Sequence, residues 1–292
     1  MLDTADGKTY VDCTFGAGGY SRAILESSNC NLIAFDRDPN VRKFADNLKG
    51  EFGDRFSFHN VDFAQIKGKL ADQKVDGIVY DLGVSSMQID TPERGFSFQK
   101  DGPLDMRMDT SLPLTAEMIV NTYPKDTMAD IFYDYGDERK SRHIAHAIVK
   151  YREEAEEPIS TTLQLAKIIE KVLGRGKKTH PATKCFQALR IYINDEFGQV
   201  ERSLADAPDL LNLDGKIVVV TFHSGEDKIV KKYFNELSGN LPSPNRHDPS
   251  ALENNSQKYN FKLISKKSKS QQKMSLARMS VTICQITRCI EN

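Results

Sequence analysis

The sequence predicts an α/β fold, a doubly wound and mostly parallel sheet into which a helical subdomain is inserted. Three observations carry that expectation. A strand, a glycine turn and a helix follow one another from Tyr10 to Leu25, the opening unit of a nucleoside-binding sheet. Further apolar runs end at a carboxylate, Asn31 to Phe35 before Asp36 and Val75 to Tyr80 before Asp81, as strands buried on both faces do when their tips line a crevice. Between Leu112 and Leu173, helical periods succeed one another with few strand signals.

The first unit runs Tyr10-Val11-Asp12-Cys13-Thr14-Phe15 and turns through Gly16-Ala17-Gly18-Gly19 into a helix opened by Tyr20. Glycine is required where a ligand approaches the backbone and where the turn needs φ values that other residues avoid. Asp36, at the tip of the second strand and 17 residues after Gly19, is placed to accept hydrogen bonds from a ribose diol. The spacing departs from Gly-x-Gly-x-x-Gly, and Asp12 precedes the turn. A carboxylate there suits the cationic amino-acid tail of S-adenosylmethionine better than a pyrophosphate. Ordinary tight turns also carry this glycine pattern, so the turn alone does not decide the matter.

A helix to Lys49 returns the chain to a third strand, Phe56 to Asn60, followed by Val61-Asp62-Phe63. Asp62 or Phe63 is expected beside the cofactor base, with a core residue at a helix start as the alternative for Phe63. The fourth strand ends in Asp81-Leu82-Gly83 and opens into the polar loop Val84-Ser85-Ser86-Met87-Gln88. From Asp90 to Asp109 neither period is present, and a long irregular loop in a compact domain is more often functional than filler. Arg94 and Arg107 are candidates for a phosphate, and Phe96 and Phe98 for a base.

These residues carry a resemblance. The runs Asp81 to Gln88, Glu93-Arg94-Gly95-Phe96-Ser97-Phe98 and Asp101 to Asp109 resemble the signature of the small-subunit ribosomal RNA cytosine-N4 methyltransferases of the MraW/RsmH type. Tyr135 to Arg139, His180 to Ile191, Thr221-Phe222-His223-Ser224 and Glu226-Asp227 extend it across roughly residues 9 to 235. The resemblance implies a class I S-adenosylmethionine-dependent methyltransferase with a Rossmann-like core, acting on a cytidine of 16S RNA at the decoding centre. It implies that Gly18, Gly19 and Tyr20 meet the methionine end of the cofactor, Asp36 the ribose, Phe63 the adenine region, and Asp81 and Gln88 its remaining edge; Gly16 and Asp12 join this set from the turn itself. Asp81, Ser85 and His223 are the expected catalytic residues, and no metal is expected.

The core is expected to comprise residues 1–108 and 181–292, with 109–180 as the inserted helical subdomain facing RNA. Its helices are read from Asp137 to Glu153 and from Ser160, and Arg139, Lys140, Arg142, His143 and His146 are either an RNA surface or a solvated face. Lys177 and Lys178, in the basic link from Gly174 to His180, are expected to track phosphates. One long helix from Pro181 is read with Phe186, Leu189, Ile193 and Phe197 on a single face. A strand from Lys216 to Phe222 follows, then a loop from Asn240 to Gln257 and a closing strand pair, Tyr259 to Lys266 and Met279 to Thr287.

The chain departs from the family at Gly225 and Tyr20, where leucine and histidine are usual, and in Lys273 to Arg278. It also opens nearly on its first strand, which is expected to leave the acceptor crevice less enclosed. A net charge of −1 with 28% charged residues excludes a uniformly basic polyanion binder and confines any RNA surface to a patch. Five cysteines without paired metal spacing fit a reducing compartment without zinc. No apolar run approaches a membrane span, and a bacterial cytoplasm is favoured over an organelle. The expected partner is small-subunit RNA or the assembled subunit, with dimerisation left open. Two alternatives stand: a ribosome-assembly binder that keeps the fold without catalysis, and a methyltransferase acting on DNA cytosine or a small molecule. Donor binding without methyl transfer would mark the first, and a basic RNA groove argues against a small molecule.

Overall fold

The computed structural model describes residues 2–175, 179–239, 261–264 and 282–289. The described residues divide into two compact units, 2–83 with 197–239, 261–264 and 282–289, and 84–175 with 179–196.

The first unit is a seven-stranded sheet of order β3-β2-β1-β4-β5-β7-β6. Its strands are β1 (Thr9–Asp12), β2 (Asn31–Phe35), β3 (Phe56–His59), β4 (Val75–Asp81), β5 (Leu211–Thr221), β6 (Phe261–Leu263) and β7 (Thr282–Arg288). Five strands run parallel, and β7 pairs antiparallel with both β5 and β6. Helices α1 (Gly19–Ser27), α2 (Arg42–Phe52) and α3 (Ile66–Leu70) are the crossovers among the first four strands. The chain winds from β1 outward to β3, then returns to place β4 on the other flank of β1. That reversal makes the β1/β4 tips the switch point, where the crevice of a doubly wound sheet opens. The expected α/β class and the closing strand pair are both present, while the expected loop from Asn240 to Gln257 lies outside the described residues.

The second unit holds α4 (Ser86–Asp90) and, around one apolar cluster, α5 (Ala116–Thr122), α6 (Lys125–Asp134), α7 (Ser141–Glu154), α8 (Thr162–Leu173) and α9 (Thr183–Ile193). Leu104 and Met106 of the irregular loop are buried in that cluster with Ile119, Phe132, Ile144 and Leu189. Backbone bonds stitch the loop down. Leu104 N–H donates to Ser160 O (3.0 Å), Ala116 N–H to Asp105 O (2.9 Å) and Thr162 N–H to Gly102 O (2.9 Å). The division therefore falls at Gly83/Val84 and Glu196/Phe197, not at 109 and 180. The loop belongs with the helices because its apolar side chains are buried among theirs.

The single helix read from Pro181 is two. α9 stops at Ile193, Asp195 takes a left-handed φ of 48°, and α10 (Glu196–Leu210) carries Phe197. The break has a local cause. The Asn194 side chain donates to Met106 O (2.8 Å) and to Arg190 O (2.8 Å) and accepts from Met108 N–H (2.7 Å), so it ties the helix end to the loop. The helix read from Asp137 likewise begins later, at Ser141, because Asp137 is left-handed with φ 49°. After β5, helix α11 (Ser224–Leu237) completes the sheet unit. Among the described residues no helix is long and apolar enough to cross a membrane.

Candidate active site

The glycine turn is built from the strand tips. Cys13 N–H donates to Val79 O (2.9 Å) and Phe15 N–H to Phe35 O (2.9 Å), so the turn is seated across β2, β1 and β4. Gly16 (φ 53°) and Gly18 (φ 82°) sit in the left-handed region, where a side chain is strained. A Cβ on Gly18 would also meet the Phe15 ring at 3.0 Å, whereas one on Gly19 would meet nothing within 4 Å. At Gly19 the backbone entering α1 is thus bare and open.

Asp12 has another task than the one expected. It is 1% exposed, its Oδ1 accepts Thr14 N–H (3.1 Å) and its Oδ2 accepts the Ser21 hydroxyl (2.7 Å). It braces the turn from within rather than facing a ligand amine, and burial raises its pKa. Asp36 is also a brace but keeps acceptor capacity. Its Oδ2 takes Gly16 N–H (2.7 Å) and its Oδ1 takes Asp38 N–H (2.9 Å), leaving each oxygen a further lone pair. Burial lifts its pKa to about 6 against those two hydrogen bonds.

Asp81 is the carboxylate with an open valence. It ends β4, its N–H donates to Thr14 Oγ1 (2.7 Å), and its Oδ1 is buried without a hydrogen-bond partner among the described residues. Burial, then the negative charges of Asp12 and Glu226, raise its pKa to about 6. Tyr20, at the start of α1, is about one-third exposed; burial and the charges of Asp81 and Asp12 push its phenol up. Phe63 opens a short 3-10 turn, half-buried, with its ring edge-on to Tyr80 at 5.7 Å. It is both a core neighbour and a partly open aromatic face.

At the tip of β5, His223 caps α11. Its Nδ1 accepts Glu226 N–H (3.4 Å), while Glu226 Oε2 accepts Phe222 N–H (2.8 Å) and His223 N–H (3.3 Å). A capping box of this kind satisfies the otherwise orphaned donors of a helix start. His223 Nε2 lies 3.0 Å from Glu226 Oε1, out of line for a hydrogen bond. The ring is tilted on Phe197 at 5.8 Å. Glu226 is the member that sequence reasoning gave no role; its signal was the spacing of three residues from His223.

The candidates in the second unit are largely engaged in holding their own loop. Ser85 and Gln88 form a capping box, with Gln88 N–H donating to Ser85 Oγ (3.3 Å) and Ser85 N–H to Gln88 Oε1 (3.1 Å). Gln88 is buried. Arg94 donates to Arg107 O and Met108 O, both at 2.9 Å, and lies over Phe96 at 5.6 Å. Arg107 pairs with Asp105 at 2.7 Å and donates to Thr110 O and Leu112 O. Phe98 packs between His180 (4.5 Å) and Phe186 (4.7 Å). A loop without a backbone ladder needs donors for its carbonyls, and these arginines supply them instead of reaching for a phosphate. Lys177 and Lys178 lie outside the described residues.

S-adenosylmethionine fits what the first unit presents. Its ammonium and hydroxyl donors match the partnerless Asp81 oxygen and the spare lone pairs of Asp36, and the bare backbone at Gly19 admits close approach.

A model of the MraW methylase family matches residues 1–284. The chain is 54% identical over 238 residues to a ribosomal RNA small subunit methyltransferase H from Rickettsia massiliae, and 55% identical to that of Rickettsia canadensis. Each match covers 81% of this chain and 76% of the relative. Among solved structures, an rRNA methylase from Streptococcus thermophilus covers 98% of this chain and 90% of its own, at 8% identity and a TM-score of 0.43, a likeness too slight to add to the sequence matches. By the match of the family model over nearly the whole chain and by the identity to these relatives, the chain belongs to the MraW methylase family.

Proposed function

We propose that this protein methylates the exocyclic N4 of a cytidine in 16S RNA of the small ribosomal subunit, at the decoding centre and in a bacterial cytoplasm, using S-adenosylmethionine. The observation that carries the reading is the partnerless, buried Oδ1 of Asp81 at the β1/β4 switch point in a chain of a methylase family. When bound, S-adenosylmethionine supplies a methyl group on an activated sulfonium.

The protein's share of the work is then positioning and charge. Asp36 accepts from the ribose hydroxyls while holding Gly16 in place. Gly18 makes the left-handed turn that lets Gly19 offer bare backbone at the start of α1 to the methionine end, with Tyr20 beside it, and Phe63 offers a ring face to the adenine. Asp81, ionised above pH about 6, accepts a hydrogen bond and stabilises positive charge next to it. Thr14 fixes the Asp81 backbone, and Asp12 fixes Thr14. In the first unit we assign His223, whose ring is held by the α11 cap and Phe197, to the acceptor; in the second we assign the Ser85 hydroxyl, which keeps a proton to donate. Gln88 sets Ser85 through their shared cap. An N4 lone pair delocalised into its ring gains most from such alignment.

The test pairs binding with transfer. Labelled S-adenosylmethionine is equilibrated with wild type and Asp81→Ala, and both are incubated with undermethylated small subunits and, separately, with duplex DNA. Label in the subunit RNA alone, lost in Asp81→Ala, supports the reading. Donor bound by wild type with no label transferred overturns it in favour of a non-catalytic binder, and label in DNA overturns the substrate.

A further inference from the structure

We propose that one face of α8, bordered by α7, is the groove by which the helical unit holds single-stranded RNA. The inference rests on an RNA substrate and names the surface and the strandedness that the reading above leaves open.

Lys167 and Lys171 lie four residues apart on α8, so they stack along one side of the helix, and Arg175, just past the helix end at Gly174 (φ 74°), borders the same recess as they do. Lys167, Lys171 and Arg175 are exposed. Neither lysine has an ion-pair partner within 4.0 Å among the described residues, while Arg175 pairs with Glu170 at 3.4 Å. Three cations thus face one carboxylate. The opposite side of α8 is closed, with Leu165, Ala166 and Ile169 buried in the unit's core.

The ridge borders a concavity of about 540 Å³ lined by Tyr151 of α7, by Gln164, Ile168 and the Arg175-paired Glu170 of α8, and by Gly174 beyond it. Cations at the rim and a half-buried aromatic ring beside Ile168 are the parts of a single-strand groove: lysines track phosphates and the ring takes a base face. The favourable field at a helix C-terminus accounts for a cation in the last turn of α8, but not for Lys167. In A-form duplex RNA the bases stay stacked inside the helix, so a ring in a recess gains nothing there. The chain's overall charge of −1 gives no general attraction to a polyanion, which makes a local cationic ridge the more telling.

The experiment compares the full chain with Lys167→Gln/Lys171→Gln and, separately, Tyr151→Phe and Tyr151→Leu. The probe is a fluorescein-labelled 12-nucleotide single-stranded RNA, followed by anisotropy between 50 and 200 mM salt. The double variant is expected to lower the slope of log affinity against log salt by about 1.4, or ~0.7 for each phosphate contact removed, and to weaken binding about 25-fold at 0.1 M salt. Tyr151→Leu is expected to weaken binding while Tyr151→Phe, which keeps the ring, does not. Binding of labelled S-adenosylmethionine stays at the wild-type level in all three. An unchanged slope in the double variant overturns the proposal, as does equal affinity of wild type for a 12-base-pair RNA duplex. A wild type that transfers methyl groups to subunits while the double variant keeps its slope removes the groove and leaves the methyltransferase reading standing. A wild type that transfers none removes the latter by itself.

Discussion

At the scale of single residues, two aspartates set the behaviour of the sheet unit. Asp81 and Asp36 both have pKa values raised to about 6, chiefly by burial. A raised carboxylate pKa means that the folded protein holds the proton more tightly than the unfolded chain does. The stabilising contribution is therefore complete below the ordinary value near 4 and is lost as pH rises through about 6. Burying ionised Asp81 then costs up to roughly 3 kcal/mol by the pKa difference. Asp81→Asn is accordingly expected to unfold at higher temperature than wild type at pH 8, with the gap closing toward pH 4, while methyl transfer falls; thermal melts across pH check this. A cationic donor favours ionised Asp81, so the affinity for S-adenosylmethionine is expected to rise between pH 5 and pH 7 in wild type and to stay flat in Asp81→Asn, as calorimetry would read. Thr14→Val should cost about 1–3 kcal/mol by leaving the Asp81 N–H without its acceptor, and Thr14→Ser should restore most of it. The places of Asp36 and Asp81 at strand tips were legible because each ends an apolar run. It did not show that Asp12 faces inward, since Ser21, nine residues on, becomes its partner only once α1 forms.

At the scale of elements, the irregular loop from Asp90 to Asp109 is the part least legible in the sequence. Leu104, Met106 and Met108 alternate like a strand, yet they pin a loop whose carbonyls are taken by Arg94, Arg107 and Asn194. A string of residues names the donors but not their acceptors, and so two arginines read as phosphate ligands. Asn194→Ala is expected to destabilise the helical unit by about 2–4 kcal/mol, because Met106 O and Met108 N–H both lose their partner in a buried place; denaturant unfolding of the full chain measures it. Gly102 admits no side chain, since a Cβ would stand 1.9 Å from Pro92 O. Gly102→Ala is expected to free the loop for proteolysis while leaving the sheet unit folded. The helix ends were less legible than the helices, because Asn194 and Asp137 terminate or delay them through side-chain bonding and left-handed backbone.

At the scale of the whole molecule, the doubly wound sheet was readable from its punctuation: glycine turn, carboxylate tips and an unbroken apolar run from Ile217 to Val220. The unit boundary was not, because burial of Leu104 and Met106 among helices leaves no period to read. Both units belong to a chain whose relatives bear the name of a small-subunit RNA methyltransferase, and the central claim is the chemistry assigned to the Asp81 end of the sheet. The measurement that reaches it most directly is nucleoside analysis of 16S RNA from undermethylated small subunits after incubation with the protein and methyl-labelled S-adenosylmethionine. Label recovered as N4-methylcytidine, and absent with Asp81→Ala, is the predicted result. Label on any other nucleoside, or transfer undiminished in Asp81→Ala, would contradict the account.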